Sequence, residues 1–371
     1  MKVLMLSVSA GGGHMNAAKA IKSYILHKNE NSEVEIIDTL KYINPILDKL
    51  IIGSYLKSLK ISPSIFGMIY SHSETDPGIA NVSNKINELF STKIYNLIKD
   101  FNPDVLISTH PFSTEILSIL KGKDLINQPC ITIMTDYTPH SFWIHPNVDA
   151  YIVSNDDMIY EMEDRGVLKE KIFPFGIPVS PNFTTPYDSK NTLISLDLDP
   201  SKTTLLLMGG SLGMGNIVNV YKELTSIPLD FQIIILAGNN DKLLVSLNSE
   251  VEHSLKETRI IGFTKEVNKY MQACDLLLTK PGGLTITEAL ISELPMALFS
   301  PIPGQEEKNA EFLLTHGAAI DLGDGTNCRD KISEVLKNPK VLLNMKEKAR
   351  TLSKPNSCQD MMNLIEGLIK K

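Results

Sequence analysis

The sequence predicts an α/β protein built as two successive parallel-sheet halves, and three observations carry that reading. An apolar run from Val3 to Ser9 enters Ala10-Gly11-Gly12-Gly13-His14 and then a helical stretch. Further on, Leu205-Leu206-Leu207-Met208-Gly209-Gly210-Ser211-Leu212-Gly213 repeats the strand-then-glycine design without the histidine. Around both, short apolar segments alternate with helical ones, the rhythm of a parallel sheet covered on both faces. At 371 residues the chain exceeds one ordinary core, so two domains are expected.

The elements follow in order. Strands are expected over 2–7, 33–37, 104–108, 130–134, 150–153 and 172–175, with helices over 14–27, 85–99, 111–120 and 156–163. Unalternating segments such as Val105-Leu106-Ile107 fit central strands buried on both sides. Pro178, Pro181 and Pro186, followed by a polar stretch, break the rhythm and read as a linker. Strands resume over 203–208, 231–237, 259–261, 276–278, 296–299 and 319–322, and helices over 330–336, 340–352 and 359–369 close the chain. The expected division is a first domain over 1–178, a linker over 179–202, a second domain over 203–352 and a terminal helix over 353–371.

Composition bounds the function. With 43% hydrophobic and 21% charged residues the chain is globular, and a net charge of −7 argues against broad nucleic-acid binding. Cys130, Cys274, Cys328 and Cys358 show no CxxC spacing, which favours buried thiols in a reducing compartment over disulfides or zinc. A strand begins at once with no leader, and no window approaches eighteen apolar residues, so membrane contact is expected to be peripheral. One stretch fits neither half. Residues 41–70 are apolar with Lys41, Lys49, Lys57 and Lys60 against Asp48 alone. Such a pattern rests a helix on an anionic membrane surface or belongs to an ordinary core helix with solvated lysines.

Several residues can carry chemistry. His14, behind three glycines and beside exposed helix amides, is placed to act as a base near neutral pH; otherwise it is a neighbour of the helix cap. The loop from Gly209 to Gly215, with Gly210 and Ser211, can cradle a diphosphate or make a plain tight turn. Thr279-Lys280-Pro281-Gly282-Gly283-Leu284-Thr285-Ile286-Thr287-Glu288 follows a strand and opens a helix. Gly282, Gly283 and Thr285 there offer donors to an anion, and Glu288 can accept from two vicinal ribose hydroxyls. Thr285 and Glu288 also match a capping box. Gln305, Glu306 and Asn309 follow another strand and can meet sugar hydroxyls, or simply begin a polar helix. His110, Asp136 and His145 end strands or follow them in the first half and can surround the cleft of His14. Their spacing supports no metal site.

Together these segments resemble glycosyltransferase family 28, and within it the diacylglycerol glycosyltransferases. The resemblance runs through Ser9-Ala10-Gly11-Gly12-Gly13-His14, Thr109-His110-Pro111, Thr135-Asp136, Trp143-Ile144-His145-Pro146 and Gly176-Ile177-Pro178-Val179. It continues through Gly209-Gly210-Ser211-Leu212-Gly213, Gly262-Phe263, Thr279-Lys280-Pro281-Gly282-Gly283 and Pro303-Gly304-Gln305-Glu306. It implies a GT-B fold, two Rossmann-like domains facing across a cleft, with the final helix returning to the first. It also implies transfer of a hexose, glucose favoured over galactose, from a UDP-sugar to diacylglycerol with inversion, once or repeatedly. His14 would be the base, and Gly13, Gly210, Ser211, Phe263, Gly282, Gly283, Thr285, Glu288, Gln305 and Glu306 would hold the donor. His110, Asp136 and His145 would lie on the acceptor side, and Lys49, Lys57 and Lys60 in the membrane-docking segment. No metal or other cofactor is implied, and the location is the cytoplasmic membrane face. Rival readings are an N-acetylglucosaminyltransferase of peptidoglycan lipid intermediates, a UDP-N-acetylglucosamine 2-epimerase, and a nucleotide-sugar sensor without turnover.

Overall fold

The computed structural model describes residues 1–9, 12–46, 90–210 and 215–370. They contain two six-stranded sheets in which every pairing is parallel. The first comprises β1 (Lys2–Ser7), β2 (Glu33–Asp38), β3 (Val105–Ser108), β4 (Cys130–Ile133), β5 (Ala150–Ile152) and β6 (Ile172–Phe173), in the order β2-β1-β3-β4-β5-β6. The second comprises β7 (Thr204–Met208), β8 (Gln232–Leu236), β9 (Thr258–Ile261), β10 (Leu276–Thr279), β11 (Met296–Leu298) and β12 (Ala319–Asp321), in the order β12-β11-β10-β7-β8-β9. Counted from β7, the second order is the doubly wound dinucleotide-binding one, whereas the first is the flavodoxin-like variant.

Burial explains why these segments are strands. Val3 to Leu6, all of β3 and β4, and all of β7, β8 and β10 are buried, because helices cover both faces. The outer strands β9 and β12 are only partly covered. In both sheets the strand order reverses beside the first strand, between β1 and β3 and between β7 and β10. Loops leaving adjacent strands in opposite directions open a crevice at their carboxyl ends. Those four strands are the ones followed by the glycine–histidine turn, Thr109-His110, the Gly209-Gly210 turn and the Lys280–Gly283 turn.

The chain divides into two compact units. One is Met1–Pro181 with Ile302–Gln305 and Lys354–Lys371; the other is Asn182–Pro301 with Glu306–Ser353. The expected linker over 179–202 requires correction. It holds the helix Ser189–Ile194 and is pinned to the second unit, with Tyr187 N donating to Gln272 Oε1 at 3.0 Å and Ser189 Oγ to Gln272 O at 2.7 Å. Its prolines mark a crossover, and the polar residues after them cap and solvate a helix. In the other direction, the helix Ser357–Ile369 buries Met361, Met362 and Ile365 against Val3, Met5, Ile21 and Ile133 of the first unit. Ser357 Oγ donates to the Gly176 carbonyl at 2.8 Å, and Lys354 pairs with Asp156 at 2.6 Å.

Of the basic apolar stretch, only residues 41–46 are described. Lys41 pairs with Asp38 at 3.0 Å, and Tyr42 and Ile46 are 44% and 72% exposed. Lys49, Lys57 and Lys60 lie outside the described residues. Among the described residues, no helix is long and apolar enough to cross a membrane.

Gly176 supports the returning segment closely. Its φ is +89°, and an added Cβ would stand 2.5 Å from Lys354 Cβ. Gly176→Ala therefore adds a left-handed backbone cost and a near-backbone clash, together about 2–4 kcal/mol. Thermal unfolding and limited proteolysis should show earlier release of the terminal helix than in wild type; unchanged profiles would contradict this packing.

Candidate active site

The first cluster grows from the end of β1. The helix Gly13–Lys28 starts behind Gly12, so His14 occupies its first turn at the carboxyl edge of the sheet. Its Nδ1 lies 2.8 Å from the Thr109 carbonyl oxygen and 2.9 Å from Thr135 Oγ1. A carbonyl oxygen only accepts, so the ring proton resides on Nδ1 and Nε2 keeps its lone pair. Thr109 is itself fixed, donating from Oγ1 to Ser7 Oγ at 2.8 Å and from N to Leu6 O at 3.1 Å. Burial pushes the imidazole down to about 4, partly offset by the Thr109 carbonyl, which favours the charged ring. At neutral pH His14 is therefore an uncharged base with a defined free nitrogen.

Its neighbours are arranged unequally. His110 packs edge-on against His14, ring centroids 4.7 Å apart, and its Nδ1 accepts from Phe112 N at 3.2 Å to cap the helix Pro111–Gly122. Burial and the nearby His14 hold His110 well below its ordinary value. Trp143, buried, lies 6.1 Å from the His14 ring. Asp136 is buried next to Thr135 and accepts from Nε2 of Gln305, which belongs to the same unit. His145 is engaged in its own turn, with Nε2 donating to the Phe142 carbonyl at 3.0 Å, and burial lowers its pKa. Among the described residues no group of three or more histidines, cysteines or carboxylates is placed to hold a metal.

The second unit carries a different arrangement. β10 ends at Thr279, and Gly282 is the N-cap of the helix Gly283–Ile291 with no side-chain cap bond. Thr285 is third in that helix, so it is not an N-cap and the capping-box alternative fails. Asn309 Nδ2 donates to the Pro281 carbonyl at 3.1 Å and steadies the turn. The first-turn amides are thereby presented at the strand end, as an anion requires. The Glu288 side chain makes no hydrogen bond or ion pair among the described residues, and burial pushes its carboxyl up to about 8. Gly210, with φ +67°, opens the β7 turn; Ser211 lies outside the described residues. Lys280 and Glu306 form an ion pair at 3.0 Å with little exposure on either side. Phe263, 63% exposed, stands just past β9.

Comparison with known proteins gives the family. Residues 14–179 match the model described as monogalactosyldiacylglycerol (MGDG) synthase, and residues 204–364 match the glycosyltransferase family 28 C-terminal domain. The chain belongs to glycosyltransferase family 28. A processive diacylglycerol beta-glucosyltransferase of Bacillus pumilus is 27% identical over 97% of this chain and 93% of that protein. Among solved structures, MurG of Acinetobacter baumannii superposes with a TM-score of 0.62 at 15% identity, covering 99% of each chain. The UDP-GlcNAc 2-epimerase of Neisseria meningitidis, bound to UDP-GlcNAc, gives 0.62 at 16% identity with both chains fully covered. Likenesses at that identity show the fold, which transferase and epimerase share.

For this family 28 glycosyltransferase, the structure joins His14, His110 and Asp136 at one sheet edge and holds His145 apart in its own turn. It assigns Gln305 to the first unit and Glu306 to the second, although they are adjacent in sequence. Two partners of His14 are invisible as chemistry in the sequence. Thr109 acts through its carbonyl, which any residue supplies, and Thr135 through a hydroxyl that only the fold brings to the ring. The only sequence signal was their position at strand ends, beside His110 and Asp136.

Proposed function

We propose that this enzyme transfers a hexose, glucose favoured over galactose, from a UDP-sugar to the free hydroxyl of 1,2-diacylglycerol with inversion, once or repeatedly. The observation that carries the reading is the His14 Nδ1–H bond to the Thr109 carbonyl, which leaves Nε2 as a base at neutral pH. Nε2 takes the acceptor hydroxyl proton as the acceptor oxygen bonds to the anomeric carbon. The bond from that carbon to the β-phosphate oxygen breaks, and its electron pair leaves with UDP. The Thr109 carbonyl then stabilises the imidazolium. The relatives named beta-glucosyltransferases support inversion, since UDP-glucose carries an α-linked sugar.

On the donor side, Gly210, Ser211, Gly282, Gly283 and Thr285 meet the diphosphate, Glu288 the ribose, Phe263 the base and Glu306 the hexose. Helix and turn amides supply fixed dipoles for the departing charge, and no metal is required for this step. Gly13 also belongs to the donor set and His110, Asp136 and His145 to the acceptor side, and Gln305 reaches the site through Asp136. The basic stretch with Lys49, Lys57 and Lys60 would dock the enzyme peripherally on the anionic cytoplasmic face of the membrane, where diacylglycerol exposes its hydroxyl.

Incubation with diacylglycerol vesicles and UDP-glucose, UDP-galactose or UDP-N-acetylglucosamine, with chelator present, should yield a glycolipid, best with UDP-glucose. His14→Ala should lower kcat at least about a hundredfold while UDP affinity is kept. No glycolipid from any donor, or product only with UDP-N-acetylglucosamine, would overturn the proposal. Glu288 gives an independent check. A carboxyl near 8 is mostly protonated at pH 7, and ribose hydroxyls favour its ionised form, so UDP binding should release a proton. Affinity should therefore rise as pH climbs from 7 to 9. Calorimetry in buffers of different ionisation enthalpy measures the release, and none at pH 7 would contradict the ribose role.

A further inference from the structure

Lys280 has no part in the scheme above, yet its ion pair with Glu306 occupies the reversal point of the second sheet. Lys280 is the first residue after β10, and its side chain is only 10% exposed. Its stem runs beside Gly215, where an added Cβ would meet Lys280 Cδ and the Phe299 ring at 3.3 Å. Its ammonium is 3.0 Å from Glu306 Oε2, and the other carboxylate oxygen, Oε1, is 3.9 Å from the Cβ position of Gly282. The stem is thus held against Gly215 and Phe299, and the ammonium by Glu306, whose carboxylate lies beside Gly282.

Covering a lysine this far costs desolvation, which a structural role at a strand end does not need to incur. A charge kept beside the amide-rich start of the helix Gly283–Ile291 fits a dianionic partner far better than an apolar one. We propose that Lys280 contacts the donor diphosphate and carries the charge of the leaving nucleotide, with Glu306 holding its ammonium in place. This rests on the donor reading given above. As the anomeric carbon–oxygen bond breaks, its electron pair collects on the β-phosphate, and Lys280 Nζ donates to that oxygen without giving up its proton. Glu306 keeps the ammonium oriented before a nucleotide binds and offsets part of its charge. Its carboxylate also opposes the incoming diphosphate, so the two partners act on nucleotide binding with opposite sign.

The opposite signs make the test selective. Lys280→Met removes the ammonium but keeps the aliphatic stem against Gly215 and Phe299. Calorimetric titration with UDP and with uridine should show UDP affinity falling about tenfold or more, uridine unchanged within twofold, and Lys280→Arg restoring most of the loss. Turnover of Lys280→Met should fall about a hundredfold. Glu306→Gln should bind UDP as tightly as wild type or more tightly. Equal losses for UDP and uridine, or weaker UDP binding in both variants, would reduce the pair to structural support and overturn the proposal. Wild-type protein that binds neither ligand would overturn the donor reading itself, a result distinct from either.

Discussion

The hydrogen bond from His14 Nδ1 to the Thr109 carbonyl is the interaction on which the proposed chemistry depends. It fixes which ring nitrogen holds the proton and leaves the other, Nε2, with its lone pair. It also opposes the burial that would otherwise make a charged ring still more costly. The bond exists because β1 and β3 are adjacent and in register, Leu6 beside Ser108, so the segments that follow the two strands meet at the same edge. Thr109 is held there by Leu6 and Ser7, residues of the strand that delivers His14. Scaffold and base are thus one construction.

The same principle serves the second unit with different groups. Its reversal lies between β7 and β10, and both loops that leave it are glycine-rich. Backbone amides, a helix start and a buried lysine gather there in place of histidine. In the proposed reaction, a neutral base in one unit would remove the proton and a cationic, amide-rich edge in the other would accept the negative charge. In the proposed donor role, the raised pKa of Glu288 would keep a repelling carboxylate away at neutral pH until a ribose bonds to it.

Much of this was legible in the sequence. Both central strands and their glycine turns stand out because a buried parallel strand is an unbroken apolar run, and because close backbone approach calls for glycine. Strand ends differed by only a residue or two, as hydrogen-bond boundaries do. The region after Gly176 was harder. Proline and polar residues mark a crossover and a capped surface helix alike, and only contact with Gln272 distinguishes them. The cap of the Gly283–Ile291 helix was ambiguous for a related reason, since Thr285 and Glu288 have capping-box spacing wherever the helix begins. Thr109 and Lys280 show the deeper limit. A carbonyl has no letter in the sequence, and the partner of Lys280, Glu306, lies on another segment whose approach is set by strand order.

The protonation state of His14 is the point at which the account is most exposed. Nitrogen-15 NMR of the ring across pH 3 to 8 reads both the tautomer and the titration. The predicted result is a neutral ring at pH 7 with its proton on Nδ1, titrating near pH 4. A ring protonated on Nε2 at pH 7, or one that titrates near 6.5, would contradict it.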